Sequence, residues 1–175
     1  LYQMDSMIKL VVVGDRGVGK SSQRFISPTQ IQFFHSCHTD IAVGPREYKL
    51  YYFDTSANDL LCPLTYPQTD VFLVGFSVAQ PSSFQDLQNK WLPELHHHCS
   101  GVPALKADSD QGPASESTFI RTEQGRQMAR KLGVPKYIEC SAKTHEGVTM
   151  VFDEAATVAV AFRTCKGRKR ACVVL

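Results

Sequence analysis

The hydrophobic positions of this chain follow two rhythms. Short, continuous apolar runs alternate with stretches in which apolar residues recur every three or four positions. Residues 8–13 form the first run and predict a strand. Residues 48–54 are rich in aromatics and predict a strand ending in Asp54. Residues 71–77 form an almost unbroken apolar run, as expected of a strand buried on both faces. At Pro81 a helix opens, with Ser82 as its N-cap and Gln85 completing a capping box. It should continue through Trp91 toward His98, with Pro93 bending or interrupting it. A helix over 124–132 stops at Gly133. Tyr137 to Cys140 reads as a short strand. The last helix, 148–163, carries Val148, Val151, Phe152, Ala155, Val158, Ala159 and Phe162 on one stripe. Residues 108–118 are a polar loop. Strands alternating with helices predict an α/β fold with a parallel sheet covered on both faces.

Composition narrows the class. A chain of 175 residues with 43% apolar and 21% charged residues is one soluble globular domain with chain enough for a sizeable core. A net charge of +2 gives no reason to expect nucleic acid as a partner. Six cysteines without a CxxC pair or a disulfide-scaffold spacing point to a reducing compartment. No apolar run reaches membrane-spanning length. Residues 1–7 read as a leader without the basic start of a signal peptide, 8–163 as the domain and 164–175 as a basic tail.

Chemistry enters at residues 14–21, Gly-Asp-Arg-Gly-Val-Gly-Lys-Ser, which fit the phosphate-binding pattern G-x-x-x-x-G-K-[ST]. Gly14, Gly17 and Gly19 let the backbone turn its N–H groups inward, with Asp15, Arg16 and Val18 between them. Lys20 supplies a cation for β- and γ-phosphates and Ser21 a hydroxyl for Mg²⁺. A helix starting near Lys20, with Ser22 in its first turn, would aim its positive end at the same anion. The preceding strand puts the motif in the required order of strand, loop and helix.

Two further elements fit a nucleotide site. Asp54-Thr55 ends a strand downstream of the loop, where an Asp holds the Mg²⁺ shell in such proteins. Lys106-Ala107-Asp108 has the spacing of a guanine reader, because a carboxylate accepts from both N1–H and N2–H₂ of guanine, and adenine offers neither. Ser141, Ala142 and Lys143 end the strand that follows and could touch the base through their backbone.

On these motifs, and on the segments Pro63–Leu73, Pro81–Phe84, Lys90–Glu94, Tyr137–Lys143 and Val151–Ala155, the chain resembles a small GTPase of the Ras superfamily, specifically of the Rho/Rac family. The resemblance implies a six-stranded, mostly parallel sheet with helices on both faces. It also implies GTP or GDP with Mg²⁺, partners of the effector, exchange-factor and GDI type, and work on the actin cytoskeleton. By position, Lys20 would hold phosphate, Ser21 and Thr39 would ligate Mg²⁺, and Asp54 would stand behind the metal. Lys106 and Asp108 would read guanine, with Ser141, Ala142 and Lys143 behind the base.

The departures from that family lie where hydrolysis and switching occur. Arg16 stands where the family has Gly and would crowd the γ-phosphate. Ala57 replaces a Gly, and Asn58, in the place of the water-orienting Gln, is one methylene shorter. A positioning error of about 1 Å costs roughly 100-fold in rate. The stretch from Thr39 to Asp54 leaves little room for a full strand and hairpin. Residues 102–106 nearly delete the strand before the guanine reader, and Leu105 stands where the family has Asn or Thr. Two strands are thus expected to be truncated, and hydrolysis to be slow.

The tail ends Cys172-Val-Val-Leu175, a C-a-a-X sequence whose Leu favours geranylgeranylation. Lys166, Arg168, Lys169 and Arg170 precede it. A prenyl chain plus a basic stretch supplies the two signals that stable anchoring on an anionic membrane needs. The expected location is the cytoplasmic face of the plasma membrane or an endomembrane, with a cytosolic pool. His96, His97 and His98 do not make a metal cluster, because consecutive helical residues point in different directions. Trp91 reads as core. Two rival functions remain: a pseudo-GTPase interaction module that no longer cycles, and a P-loop kinase for a small metabolite.

Overall fold

The computed structural model describes residues 6–20, 36–55, 62–99, 103–108, 119–134, 136–141, 143–165 and 172–174. Within them lie β1 (Met7–Gly14), β2 (Ser36–Val43), β3 (Arg46–Asp54), α1 (Cys62–Thr65), β4 (Val71–Phe76), α2 (Pro81–Asp86), α3 (Leu92–His98), β5 (Pro103–Asp108), α4 (Thr122–Lys131), α5 (Val148–Cys165) and β6 (Cys172–Val174). The strands form one sheet in the order β2-β3-β1-β4-β5-β6. Only β2 runs antiparallel to its neighbour; the other pairings are parallel. This is the α/β architecture that the alternation of runs and stripes predicts.

The sheet is central because its middle strands bury both faces. Ile8, Leu10 and Val12 of β1 enter one core with Leu50, Leu73 and the α5 stripe Val148, Val151, Phe152, Ala155 and Ala159. Val11 and Val13 point the other way, into a core with Phe72, Val74, Phe76, Leu87, Trp91 and Leu95. A continuous apolar run suits such a strand, since neither face meets water. At the sheet's N-terminal edge, Asp70 ties three elements together. Its Oδ2 accepts the Lys9 backbone N–H at 2.8 Å, and Arg163 of α5 grips both carboxylate oxygens, at 3.1 and 2.6 Å.

Four sequence expectations need correction. Ser82 does not cap α2: Pro81 occupies the first turn and Gln80 is the cap, without a side-chain hydrogen bond. Buried Ser83 is the serine that fastens the entry, accepting from Ser77 N at 3.0 Å and donating to Gln80 O at 2.7 Å. Pro93 does not interrupt the helix, because the segment Leu87–Trp91 takes up π-helical geometry and carries α2 into α3. The hairpin before Asp54 is not cramped: β2 starts at Ser36, upstream of Thr39, and Gly44-Pro45 alone makes the turn between eight- and nine-residue strands. Finally, Tyr137–Cys140 forms no strand. The free edge of β5 is taken by β6, with Pro103 level with Cys172 and Leu105 level with Val174. Sheet shortness shows at that edge, where β5 has six residues and β6 three.

Phe152 joins the sheet to α5, with its ring edge-on to Tyr52 at 5.8 Å between centroids. Phe152→Ala should cost about 3–5 kcal/mol of unfolding free energy, measured by urea denaturation. A loss below about 1 kcal/mol would show that this face is not the core assigned to it.

Candidate functional site

The chain leaves β1 toward β3 on one side and later crosses to β4 on the other, so β1 is the point where the sheet's winding reverses. In open α/β sheets, ligands bind outside the carboxyl ends of strands at such a point. The carboxyl end of β1 is Gly14, and the glycine-rich loop follows it. Gly14 has φ +140°, and a Cβ there would lie 2.3 Å from the carbonyl oxygen of Gly75 in β4. Glycine therefore serves both the turn and the close approach of two backbones. Gly17 and Gly19 also take positive φ, +79° and +83°.

The loop closes around a cation. Lys20 is only 4% exposed, and its Nζ donates to the carbonyl oxygens of Gly14 and Asp15, each at 2.5 Å. Buried charge must be met by oriented dipoles or an opposite charge. Here the loop's own carbonyls meet it. The loop is also pinned from outside at two places, and the strand leading into it at a third. Tyr52 donates to the Lys20 carbonyl at 3.0 Å, Thr55 donates to Val12 O at 2.6 Å, and Trp91 Nε1 donates to Asp15 Oδ1 at 2.8 Å. Asp54, 6% exposed, ends β3 beside β1, level with Val12. Val18 is buried, whereas Arg16 stands exposed on the loop's outer turn.

The donor set fits phosphate. A buried ammonium and the N–H groups of a glycine-rich turn make an anion cradle, with phosphate oxygens able to replace the carbonyls on Lys20. Of the residues expected around Mg²⁺, Asp54 is in place as a buried carboxylate, while Ser21 lies outside the described residues, as does Ser22 of the expected nucleotide site. Mg²⁺ would supply neutralisation of phosphate charge there.

Thr39 must be withdrawn from the metal. It sits inside β2, level with Leu50, which is level with Ile8. That is four residues along β3 from Asp54, about 13 Å, and farther still from the loop. Counting forward from Lys20 misplaced it, because β2 already begins at Ser36, sooner than that count assumes. Counting back from the Gly44-Pro45 turn gives the observed register.

Lys106 and Asp108 lie within β5, not in a loop beyond a deleted strand. Lys106 is level with Val74 and Asp108 with Phe76, so Asp108 alone reaches the carboxyl edge that bears Gly14. Ser141 and Lys143 belong to a tight loop in which Ser141 N donates to Glu146 O at 2.8 Å and Ser141 Oγ accepts from Thr144 N at 3.2 Å. Ala57, Asn58 and Ala142 lie outside the described residues. So do Lys166, Arg168, Lys169 and Arg170 of the tail, whereas Cys172 begins β6.

Two contributors escaped the sequence. Tyr52 reads as one aromatic among several in its strand. Trp91 reads as core, and it is core, but a buried indole N–H needs an acceptor. That requirement was the available signal. Beside Asp15 lies Asp86. Partial removal from water, and then the like charge and hydrogen bond of Asp15, push the Asp86 carboxyl above the ordinary range, against the pull of Lys90.

A known family model, described as "Ras family", matches residues 9–161 of the chain.

The raised Asp86 value means that the folded state holds this proton more tightly than the unfolded chain does. Its contribution is full below the ordinary value of 3.8 and is lost as pH rises through the raised one. Asp86→Asn imitates the protonated acid. Its melting temperature should exceed that of the wild type by a small margin at pH 7, and the margin should vanish below the ordinary carboxylate range. Thermal denaturation at both pH values checks this; a mutant less stable at pH 7 contradicts it.

Proposed function

The chain belongs to the Ras family, and on that premise we propose that it is a Rho/Rac-like GTP-binding switch, slow to hydrolyse GTP and anchored to membranes by a prenylated tail. Its fold is the Ras-like G domain, and the family is one of small GTP-binding switch proteins. The observation that carries the reading is the buried Lys20 inside a glycine-rich loop at the sheet's reversal point. Such a loop holds β- and γ-phosphates, and Asp54 stands where the metal's outer shell is held.

Slow hydrolysis is supported by Arg16. It stands exposed on the loop where the family has Gly, and a long cationic side chain there would crowd the space that the γ-phosphate and an attacking water need. A partner's arginine finger, worth roughly 10³–10⁵ in rate where it operates, would meet like charge and bulk there. Asn58 adds to the loss through its shorter reach. The tail reading rests on Cys172-Val-Val-Leu175 and the four basic residues before it. Prenyl transfer would require Cys172 to leave β5. Three residues of parallel pairing at an edge are a weak hold, so that exchange costs little. The membrane would be the cytoplasmic face of the plasma membrane or an endomembrane. Effectors, exchange factors and GDI-type proteins are the partners implied by family. The Rho/Rac assignment itself rests on the matching segments, Pro63–Leu73 above all.

One observation favours a second reading, a pseudo-GTPase module. Lys106 lies inside the β4–β5 ladder, two residues short of the edge that a guanine reader must reach.

Titration with mant-GDP and mant-GTP separates the two. Tight binding that falls away when EDTA removes Mg²⁺ is the expected result; absent binding supports the module. Single-turnover hydrolysis tests Arg16 directly. Arg16→Gly should speed the wild-type reaction by about tenfold or more, the scale of a small positioning error at the reacting centre. An unchanged rate would clear Arg16 of the role assigned to it.

A further inference from the structure

We propose that Trp91 is a positioning residue of the phosphate loop, acting through Asp15; this rests on the reading of the loop as a nucleotide site. Asp15 is held by two donors besides its contact with Asp86. Its backbone carbonyl accepts from the buried ammonium of Lys20, and its Oδ1 accepts from the indole N–H of Trp91. The two donors differ in what holds them. Lys20 is the group that turns to phosphate when an anion enters, so its bond to Asp15 is given up or shared on binding. Trp91 has no such alternative. It is 1% exposed, packed in the core with Leu87, Leu95 and Phe72, and capped by Lys90, whose Nζ lies 4.2 Å from the ring centroid. The indole bond is therefore a contact from the core that keeps Asp15, and the loop around it, in place while Lys20 changes partners.

The helix is shaped for this contact. Pro93 has no N–H to give to the turn before it, and the chain takes up π-helical geometry over Leu87–Trp91. Such wide turns inside α-helices are frequent at functional sites. Here the wide turn ends on the residue that reaches the loop. A hydrogen bond from an indole to a carboxylate is charge-assisted and stronger than a neutral one. Asp15 also precedes Arg16, so the same bond fixes where that side chain leaves the loop.

The test measures the mant-GDP off-rate by direct excitation of the mant group, on the full chain with Mg²⁺ at a temperature well below melting. Trp91→Phe keeps an aromatic ring and removes the donor. It should raise the off-rate about tenfold. Asp15→Ala should do the same, and the double variant should add nothing further. Asp15→Asn keeps an acceptor oxygen and should restore most of the wild-type rate. Leu87→Val disturbs the same helical turn without touching the loop, and should lower the melting temperature while leaving the off-rate within twofold. An unchanged off-rate in Trp91→Phe overturns the proposal, and so do additive effects in the double variant or an equal rise in Leu87→Val. If the wild type binds no mant-GDP at all, the nucleotide reading fails first and takes this proposal with it.

Discussion

A single methyl group at position 14 would lie 2.3 Å from the carbonyl oxygen of Gly75. The closeness of β1 and β4 at that point sets the geometry of everything beyond it. The two strands can lie this close at the end of β1 only because Gly14 carries no side chain there. At Gly14 the chain turns out of the sheet with φ +140°, into a loop whose walls are the end of β3 on one side and the π-helical turn on the other. Both walls contribute a donor, Tyr52 from β3 and Trp91 from the turn. Each depends on its own core being packed, because Tyr52 leans on Phe152 of α5 and Trp91 sits among Leu87, Leu95 and Phe72. The loop is thus positioned by the helices on both faces of the sheet.

Burying Lys20 is the unfavourable step in this arrangement. An ammonium taken out of water costs several kcal/mol unless it is repaid by strong partners. Two carbonyls of the same loop serve as those partners, which keeps the loop closed on itself. Carbonyl dipoles are weaker partners than phosphate oxygens carrying full charge, and the fold thereby leaves binding energy for an anion. The acidic pair Asp15 and Asp86 lies on the outer side of the loop, with Trp91 bonded to Asp15.

Legibility varied with how local the governing physics was. The α5 stripe was readable because burial of one helical face leaves a period of 3.6 in the sequence, and the helix runs Val148–Cys165 with that stripe inward. The phosphate loop was readable because its glycines and lysine are consecutive. Thr39 was misplaced because its position depends on a hairpin register fixed by Gly44-Pro45, several residues after it, and not on its distance from Lys20. Tyr137–Cys140 looked like a strand and is none, since strand pairing requires an available edge. The edge of β5 goes to a segment more than thirty residues later, on the far side of α5. Trp91 looked like core, and nothing in one sequence tells which acceptor a buried indole will find.

The placement of Arg16 bears on binding and on catalysis in opposite senses. On the exposed turn of the loop it would add a positive charge near phosphates held there. A charge that meets ground state and transition state alike deepens the bound state and leaves the barrier where it was. To speed hydrolysis, a cation must approach where charge develops between the γ-phosphate and its leaving oxygen, and must leave the opposite side open for water. The loop's anchors at Asp15 and Lys20 fix its backbone before and after Arg16. On the proposed reading of slow hydrolysis, a backbone fixed in this way starts the arginine from the flank of the loop, where it would add charge to the cradle without supplying the in-line contact of a finger.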